Sequence, residues 1–374
     1  MSRPVELLHQ LQPDYFKKHA VGDVDHHIQI CGEKVRLTPV FYAYWHFAAE
    51  RQNIFFRRIS GANINPLTED KILRSFKFTN SYRASDRVSQ YLIRRVIYDR
   101  EASTDPADTF FRTILFKLFN KIETWQMLER EIGHLCLASY EYEAFDNILT
   151  SALESGERIY SAAYIMPSAG RIFGKRYKHQ NHLKLLEHMI AELFPERIAS
   201  AATMADAFGI ISEAPSIGPF LAYQFITDLN YGPLTDFSEM DFVVAGPGAL
   251  DGISKCFENG EKLDPVAIIS YMADHQEEWF DNLEIPFASL WGRTLQLIDC
   301  QNLFCEISKY ARVAFPEVQG ISGRTRIKQK YSSSGRPPQP WYPPKWGIND
   351  EIDPALNQPV TISEEARAVQ YTLF

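Results

Sequence analysis

Apolar side chains in this chain recur at helical spacing far more than at strand spacing, and that periodicity excludes most sheet-based architectures. Phe110, Ile114, Leu118, Ile122 and Trp125 fall on one helical face, and Leu183, Leu186, Met189, Ile190 and Leu193 on another. Leu295, Ile298, Leu303 and Ile307 mark a further helix leading to Tyr310. Strand-like runs are few: Ile28 to Thr38 predicts a small hairpin, and Phe242 to Ala245 is short and ambiguous. A chain of 374 residues, 45% apolar and 13% aromatic, has ample material for a large core in one domain or two lobes.

Several function classes are excluded early. No apolar run reaches the roughly 18 residues of a membrane span, and the N-terminus lacks a basic-then-apolar signal pattern, so a cytosolic protein without membrane contact is expected. Cys31, Cys136, Cys256, Cys300 and Cys305 are scattered with no Cys-x-x-Cys pair, which argues against a disulfide framework, a zinc site or an iron–sulfur cluster. No metal and no cofactor are expected. His26, His27, His179 and His182 are read as solvent-facing. Gly170 to Arg176 resembles a phosphate-binding loop but is one residue short and has Arg176 in place of the magnesium-binding Ser or Thr. Gly246 to Gly252 fails as a dinucleotide fingerprint, because its third glycine falls one position late in helical surroundings.

The net charge of −8 is the wrong sign for a protein bound to nucleic acid by its overall field, so the distribution of charge matters more than the sum. Lys71 to Arg95 carries seven bases, including Arg83 and Arg87, against the single acid Asp86. Arg324 to Arg336 carries five bases and no acid. Two such strips are compatible with counterion release at one face. The second is rich in Ser and Gly, and disorder is expected there.

The segment Ile210 to Gly252 holds the densest set of candidate groups. Ile210, Ile211 and Ala214 close one helical run, Pro215 to Gly218 makes a tight turn, and Leu221, Ala222, Phe225, Ile226 and Leu229 open a second helix at Pro219. Gly218 is expected to take positive φ, and amides at the start of the second helix suit a phosphate. The same turn also serves an ordinary pair of packed helices. Farther along, Gly246-Pro247-Gly248 turns into another helix, where Asp251 could cap or Lys255 could face a phosphate.

The turn and its helices resemble the helix-hairpin-helix element of DNA repair glycosylases. The longer pattern is similar to the alpha-glutamyl/putrescinyl-thymine pyrophosphorylases, a group linked to hypermodified pyrimidines in phage DNA. It is carried by Phe76 to Arg83, Asp86 to Gln90, Phe111 to Asn120 and Gly246 to Gly248, and spans about Phe41 to Tyr331. The resemblance implies a mainly α, two-lobed, helix-hairpin-helix glycosylase-like fold and DNA with modified pyrimidines as partner. Two departures stand out: Ser216 occupies the place of the first hairpin glycine, and Phe220 the place of the lyase-type lysine, which excludes a Schiff base there.

The implied activity is monofunctional excision of a C5-modified pyrimidine, with antiphage defence as its setting. A pyrophosphate-displacing transferase and a DNA-binding module without catalysis are the alternatives. A carboxylate beside the sugar would stabilise oxocarbenium charge. Asp241 fits the catalytic aspartate's position, with Glu239 and Asp236 behind it and Asn80 as a further catalytic candidate. Arg83, Arg87, Ser216, Gly218, Gly246, Gly248 and Lys255 are the expected DNA contacts. Since a base must leave the stack to be processed, Phe78, Tyr82, Asn120 and Tyr223 are read as its pocket. Residues 1–330 are assigned to the two-lobed catalytic domain, with the hairpin at about 205–230, and 331–374 to a Pro-rich tail that could dock through Trp341, Tyr342 and Trp346. The sequence carries no signal for oligomeric state.

Overall fold

The computed structural model describes residues 26–60, 66–162, 166–332 and 339–352. Its only sheet among them is an antiparallel pair, β1 (His27–Ile30) and β2 (Glu33–Arg36), with Ile28 opposite Val35. This is the hairpin anticipated between Ile28 and Thr38. Phe242 to Ala245 forms no strand.

Helices make up most of the rest, and their limits follow from local chemistry. Helix α1 (Pro39–Ile59) starts where the Thr38 hydroxyl accepts the Val40 amide at 3.2 Å and Pro39 supplies a preset φ. Helix α2 (Pro106–Phe119) is capped by Asp105, whose carboxylate accepts from Ala107 and Asp108. It ends at Asn120, which takes the left-handed conformation at φ 49. That break separates Phe110, Ile114 and Leu118 from Ile122 and Trp125, which belong to α3 (Ile122–Ile132). The chain continues through α4 (Tyr142–Glu154), α5 (Lys178–Ala191), α6 (Phe194–Ala199), α7 (Met204–Ser212) and α8 (Pro219–Leu229). Leu193 lies outside α5, at φ 57 and 58% exposed. Helices α9 (Pro247–Cys256), α10 (Pro265–Asp274), α11 (Gln276–Asn282) and α12 (Leu297–Ala314) complete the α-helices of six residues or more among the described residues.

Two groups of helices share a continuous apolar core. In one, α9 and α12 pack tightly together and both return to α1. In the other, α2 contacts α5, α6 and α8, and α7 packs on α8. The α9–α12 approach depends on glycine: a Cβ at Gly252 would lie 2.1 Å from the Phe304 carbonyl oxygen.

Histidines read as solvent-facing are not. His179 and His182 are fully buried, and His26 is half-buried with its Nδ1 2.8 Å from the Tyr42 hydroxyl. His182 Nε2 donates to the Pro167 carbonyl at 2.7 Å while Nδ1 accepts from the Tyr160 hydroxyl at 2.9 Å. Burial pushes its pKa down to about 4, so it is neutral near pH 7. Part of the second basic strip is also ordered: Gln329 accepts the Lys77 amide and Tyr331 donates its amide to Ser75, so 329–331 runs beside 75–77. Arg336, and the tail beyond residue 352, lie outside the described residues.

Candidate functional site

Arg83, expected at the surface, is 2% exposed and lies at the centre of a buried charged cluster. Its position is fixed from both sides. Tyr82 donates its hydroxyl to the Arg293 carbonyl at 2.7 Å, and the Arg83 amide donates to Asp299 Oδ1, at the start of α12, at 2.7 Å. The guanidinium then reaches α8 and the turn after it, where Nη1 donates to Asp228 Oδ1 at 2.7 Å and the Tyr231 hydroxyl at 3.0 Å, and Nε to Gln224 Oε1 at 3.2 Å. Helix α2 contributes Lys117, whose ammonium stands 3.0 Å from Asp228 Oδ2 and donates to Asn120 Oδ1 at 2.9 Å. None of these six residues exceeds 5% exposure.

Burial alone would raise the Asp228 pKa; Arg83 and Lys117 outweigh it, and the carboxyl is held below its ordinary range. The cluster is therefore an ionised carboxylate between two cations. Asp299 behaves differently: burial pushes it up to about 7 although the Arg83 and Gln296 amides both donate to it. Glu239 is also raised by burial, opposed by Arg293, whose Nη2 stands 2.9 Å from Oε1.

Segment 339–352 lies over this region. Tyr342 is fully buried with its hydroxyl 2.8 Å from Ser85 Oγ, and its ring stacks on Trp346 at 5.8 Å. Trp346 meets Tyr231 edge-on at 5.7 Å and receives the Arg293 guanidinium on its face at 3.9 Å. Lys345 donates to the Thr235 carbonyl at 2.6 Å. The Trp341 amide donates to Gln90 Oε1 at 2.9 Å.

The residues anticipated from sequence are not brought together as one site. Asp241 is exposed, and Asp236 is a surface carboxylate 3.6 Å from Lys345, whereas Glu239 is committed to Arg293. Asn80 uses its whole amide locally, accepting from Arg51 at 3.0 Å and donating to the Ser85 carbonyl at 2.8 Å. Phe78, Tyr82 and Tyr223 are core residues: Phe78 meets Phe47 edge-on, Tyr82 stacks on Phe287, and Tyr223 packs on Phe242. Of the four pocket candidates, only Asn120 joins the charged cluster.

Among the expected DNA contacts, Arg83 and Lys255 are corrected by burial. Lys255 is 2% exposed, pairs with Asp251 at 3.2 Å and donates to the Ser308 carbonyl at 3.0 Å. Gly246 and Gly248 serve close packing, since a Cβ would stand 2.5 Å from the Phe220 ring and 2.9 Å from Cys305 Sγ respectively. Ser216 and Gly218 are exposed on the α7–α8 turn, but it is Ser216 that takes positive φ, at 65, while Gly218 sits at −82. Arg87 is half exposed and stands 3.8 Å from Glu123.

Sequence reasoning missed Lys117, Gln224, Asp228 and Tyr231. The signal was available: Gln224 and Asp228, spaced i and i+4, interrupt the otherwise apolar stripe of α8, and Lys117 interrupts an apolar run in α2. Such a carboxylate can accept a hydrogen bond from a hydroxyl, and the flanking cations can stabilise negative charge that develops beside it.

Residues 38–320 match the family model described as 5-hmdU DNA kinase, helical domain, and the chain belongs to that family. It is 24% identical over 323 residues to a 5-hmdU DNA kinase of Bacillus phage SP10, an alignment covering 81% of this chain and 50% of the relative. The chain thus spans about half the length of the curated relative it matches. No solved structure matches it. These findings correct the expected activity: the matched family is described as the helical domain of a 5-hmdU DNA kinase and the named relative is such a kinase, a transferase, so base excision by a hydrolytic glycosylase is not supported. Among the described residues no helix is long and apolar enough to cross a membrane.

Proposed function

We propose that this chain holds DNA carrying 5-hydroxymethyluracil for phosphoryl transfer onto the hydroxymethyl oxygen of the base, and receives that substituent at the Arg83–Asp228–Lys117 cluster. One observation carries the reading: a wholly buried carboxylate between two cations lies inside the matched span. Packing alone does not account for it, because apolar replacement of buried ion groups is often neutral or stabilising. Perturbed charged groups of this kind gather at functional sites.

In this reading Asp228 accepts the hydroxyl proton's hydrogen bond and orients the oxygen, while Arg83 and Lys117 face the charge of the incoming phosphoryl group. The base reaches them only after leaving the duplex stack. Gln224 and Asp228 stand on the helix that begins beside the exposed Ser216 and Gly218, so a backbone contact at that turn would bring a flipped base toward the cluster. Its outline of two helices and a tight turn supports the likeness to helix-hairpin-helix elements. Because the chain spans half of its relative, binding of the phosphate donor is not assigned to these residues.

Equilibrium binding to two duplexes that differ only in one thymine or 5-hydroxymethyluracil tests the proposal. A preference of about tenfold or more for the modified duplex is expected, equivalent to about 1.4 kcal/mol, and Lys117→Met should reduce it. Equal affinity of the wild-type chain for both duplexes would sink the idea.

A further inference from the structure

Between Arg158 and Lys184 lie Arg158, Arg171, Lys175, Arg176, Lys178 and Lys184, with no Asp or Glu, in a chain whose net charge is −8. Arg158, Arg171, Lys175 and Arg176 are exposed, and among the described residues none of the four stands within ion-pair distance of a carboxylate. The earlier strip is spent differently: Arg83 is buried on Asp228, and Arg74, Arg87 and Arg95 each stand within 4.0 Å of an acid. We infer that the surface formed by Arg171, Lys175 and Arg176 grips the phosphodiester backbone of DNA, an assignment that rests on the function proposed above.

The backbone beneath these cations is clamped by buried polar side chains of α5. Asn181 Oδ1 accepts the Lys175 amide at 3.0 Å, and its Nδ2 donates to the carbonyls of Lys175 at 3.1 Å and Tyr177 at 2.8 Å. His182 fixes Pro167 and Tyr160 as described above, and Gln180 Oε1 accepts the Tyr177 amide at 2.9 Å. A loop that merely solvates charge does not require such anchoring. The cations also lie on aromatic faces, Arg176 over Tyr177 at 4.9 Å and Lys175 over Tyr142 at 5.6 Å, which limits their side-chain freedom before any phosphate arrives. Ile172, 55% exposed at the tip, adds an apolar contact suited to sugar or base edges.

A chain of contacts links this loop to the buried cluster. Tyr160 stacks on Phe119 at 5.0 Å and the Ser161 amide donates to the Phe119 carbonyl at 3.0 Å, one residue before the Asn120 that holds Lys117. Contacts thus run from the loop through Asn181, His182 and Tyr160 to the end of α2. The phosphate-loop-like spacing at Gly170 to Lys175 was rejected for nucleotide binding, and here the same bases act as point charges on a polymer.

The test is the salt dependence of binding to the modified duplex, followed by fluorescence anisotropy between about 50 and 200 mM salt. Arg171→Gln, Lys175→Gln and Arg176→Gln together should reduce the slope of log affinity against log salt by about 2 to 3, with thermal unfolding unchanged. Lys34→Gln, Arg36→Gln and Lys262→Gln together make the same change in net charge at a distant surface and should leave the slope alone. An unchanged slope in the first triple, or equal losses in both triples, overturns the assignment. A wild-type chain that binds both duplexes alike, with the slope still lost in the first triple, defeats the proposed function and leaves this surface standing. A chain that binds neither duplex defeats both.

Discussion

Asp228 shows at the scale of one residue how cost and purpose separate. Its carboxylate is fully buried and faces Arg83 and Lys117, so Asp228→Asn leaves two buried cations without their counter-charge. We expect a loss of about 3 to 5 kcal/mol in urea unfolding, larger than for removal of a solvent-exposed pair such as Arg197–Glu213. Asp299 makes a second prediction with a defined sign. Burial raises its pKa from an ordinary 3.8 to about 7 in the folded chain. Between those values the folded state holds a proton that the unfolded state has lost, so this group favours folding most below pH 3.8 and its contribution falls until pH passes about 7. Asp86 is raised to about 7 for the same reason and acts in the same direction. Asp299→Asn keeps an oxygen for the Arg83 amide but cannot titrate, so unfolding free energies measured from pH 4 to 8 should show a shallower decline by about one proton's slope. An unaltered slope would show that Asp299 ionises normally.

At the scale of elements, the two glycines Gly252 and Gly209 separate packing from propensity. At Gly252 a methyl group would meet the Phe304 backbone at 2.1 Å, and no side-chain rotation relieves a contact with backbone, so α9 and α12 must move apart. Gly252→Ala should cost about 1 to 3 kcal/mol or more. Gly209 is also helical, in α7, but a Cβ there meets nothing within 4 Å, and Gly209→Ala should stabilise by about 0.5 to 1 kcal/mol. Thermal unfolding of the pair checks both signs. Much of this level was legible in the sequence: the β1–β2 hairpin, the α7–α8 turn and the α5 and α12 faces all follow from periodicity and turn chemistry. What was hidden is which charged residues point inward. Arg83 reads as one base in a basic strip because its partner Asp228 lies 145 residues away. Lys255 was more readable, since Asp251 at i−4 on the same helix already offered a pair. Gly246 and Gly248 read from sequence as DNA contacts, whereas their partners Phe220 and Cys305 come from other helices and could not be inferred from spacing.

For the whole molecule, the question is how a cluster closed on every side receives a base. The helices that supply Lys117, Gln224 and Asp228 belong to the core, so opening them costs core packing. Segment 339–352 is different: it adds to the core only the rings of Trp341, Tyr342 and Trp346 and the buried Ile348 and Ile352, and is otherwise held by polar contacts of Gln339 to Arg94, Trp341 to Gln90, and Lys345 to Asp236 and the Gly232 and Thr235 carbonyls. Local opening free energies are lowest where few apolar contacts must be broken. Tyr342 is the main apolar anchor, fully buried and placed between Trp291 at 5.9 Å and Trp346 at 5.8 Å. Tyr342→Ala removes both ring contacts and the hydroxyl pairing with Ser85, while the α1, α9 and α12 core loses no apolar side chain of its own. The expected outcome is selective: chymotrypsin should cut within 339–352 at least tenfold faster, from a lost anchor of about 1.4 kcal/mol or more, with little change in cleavage elsewhere. If Tyr342→Ala instead raises cleavage uniformly along the chain, the segment is part of the cooperative core, and access to Arg83 and Asp228 must come from movement between the helices themselves.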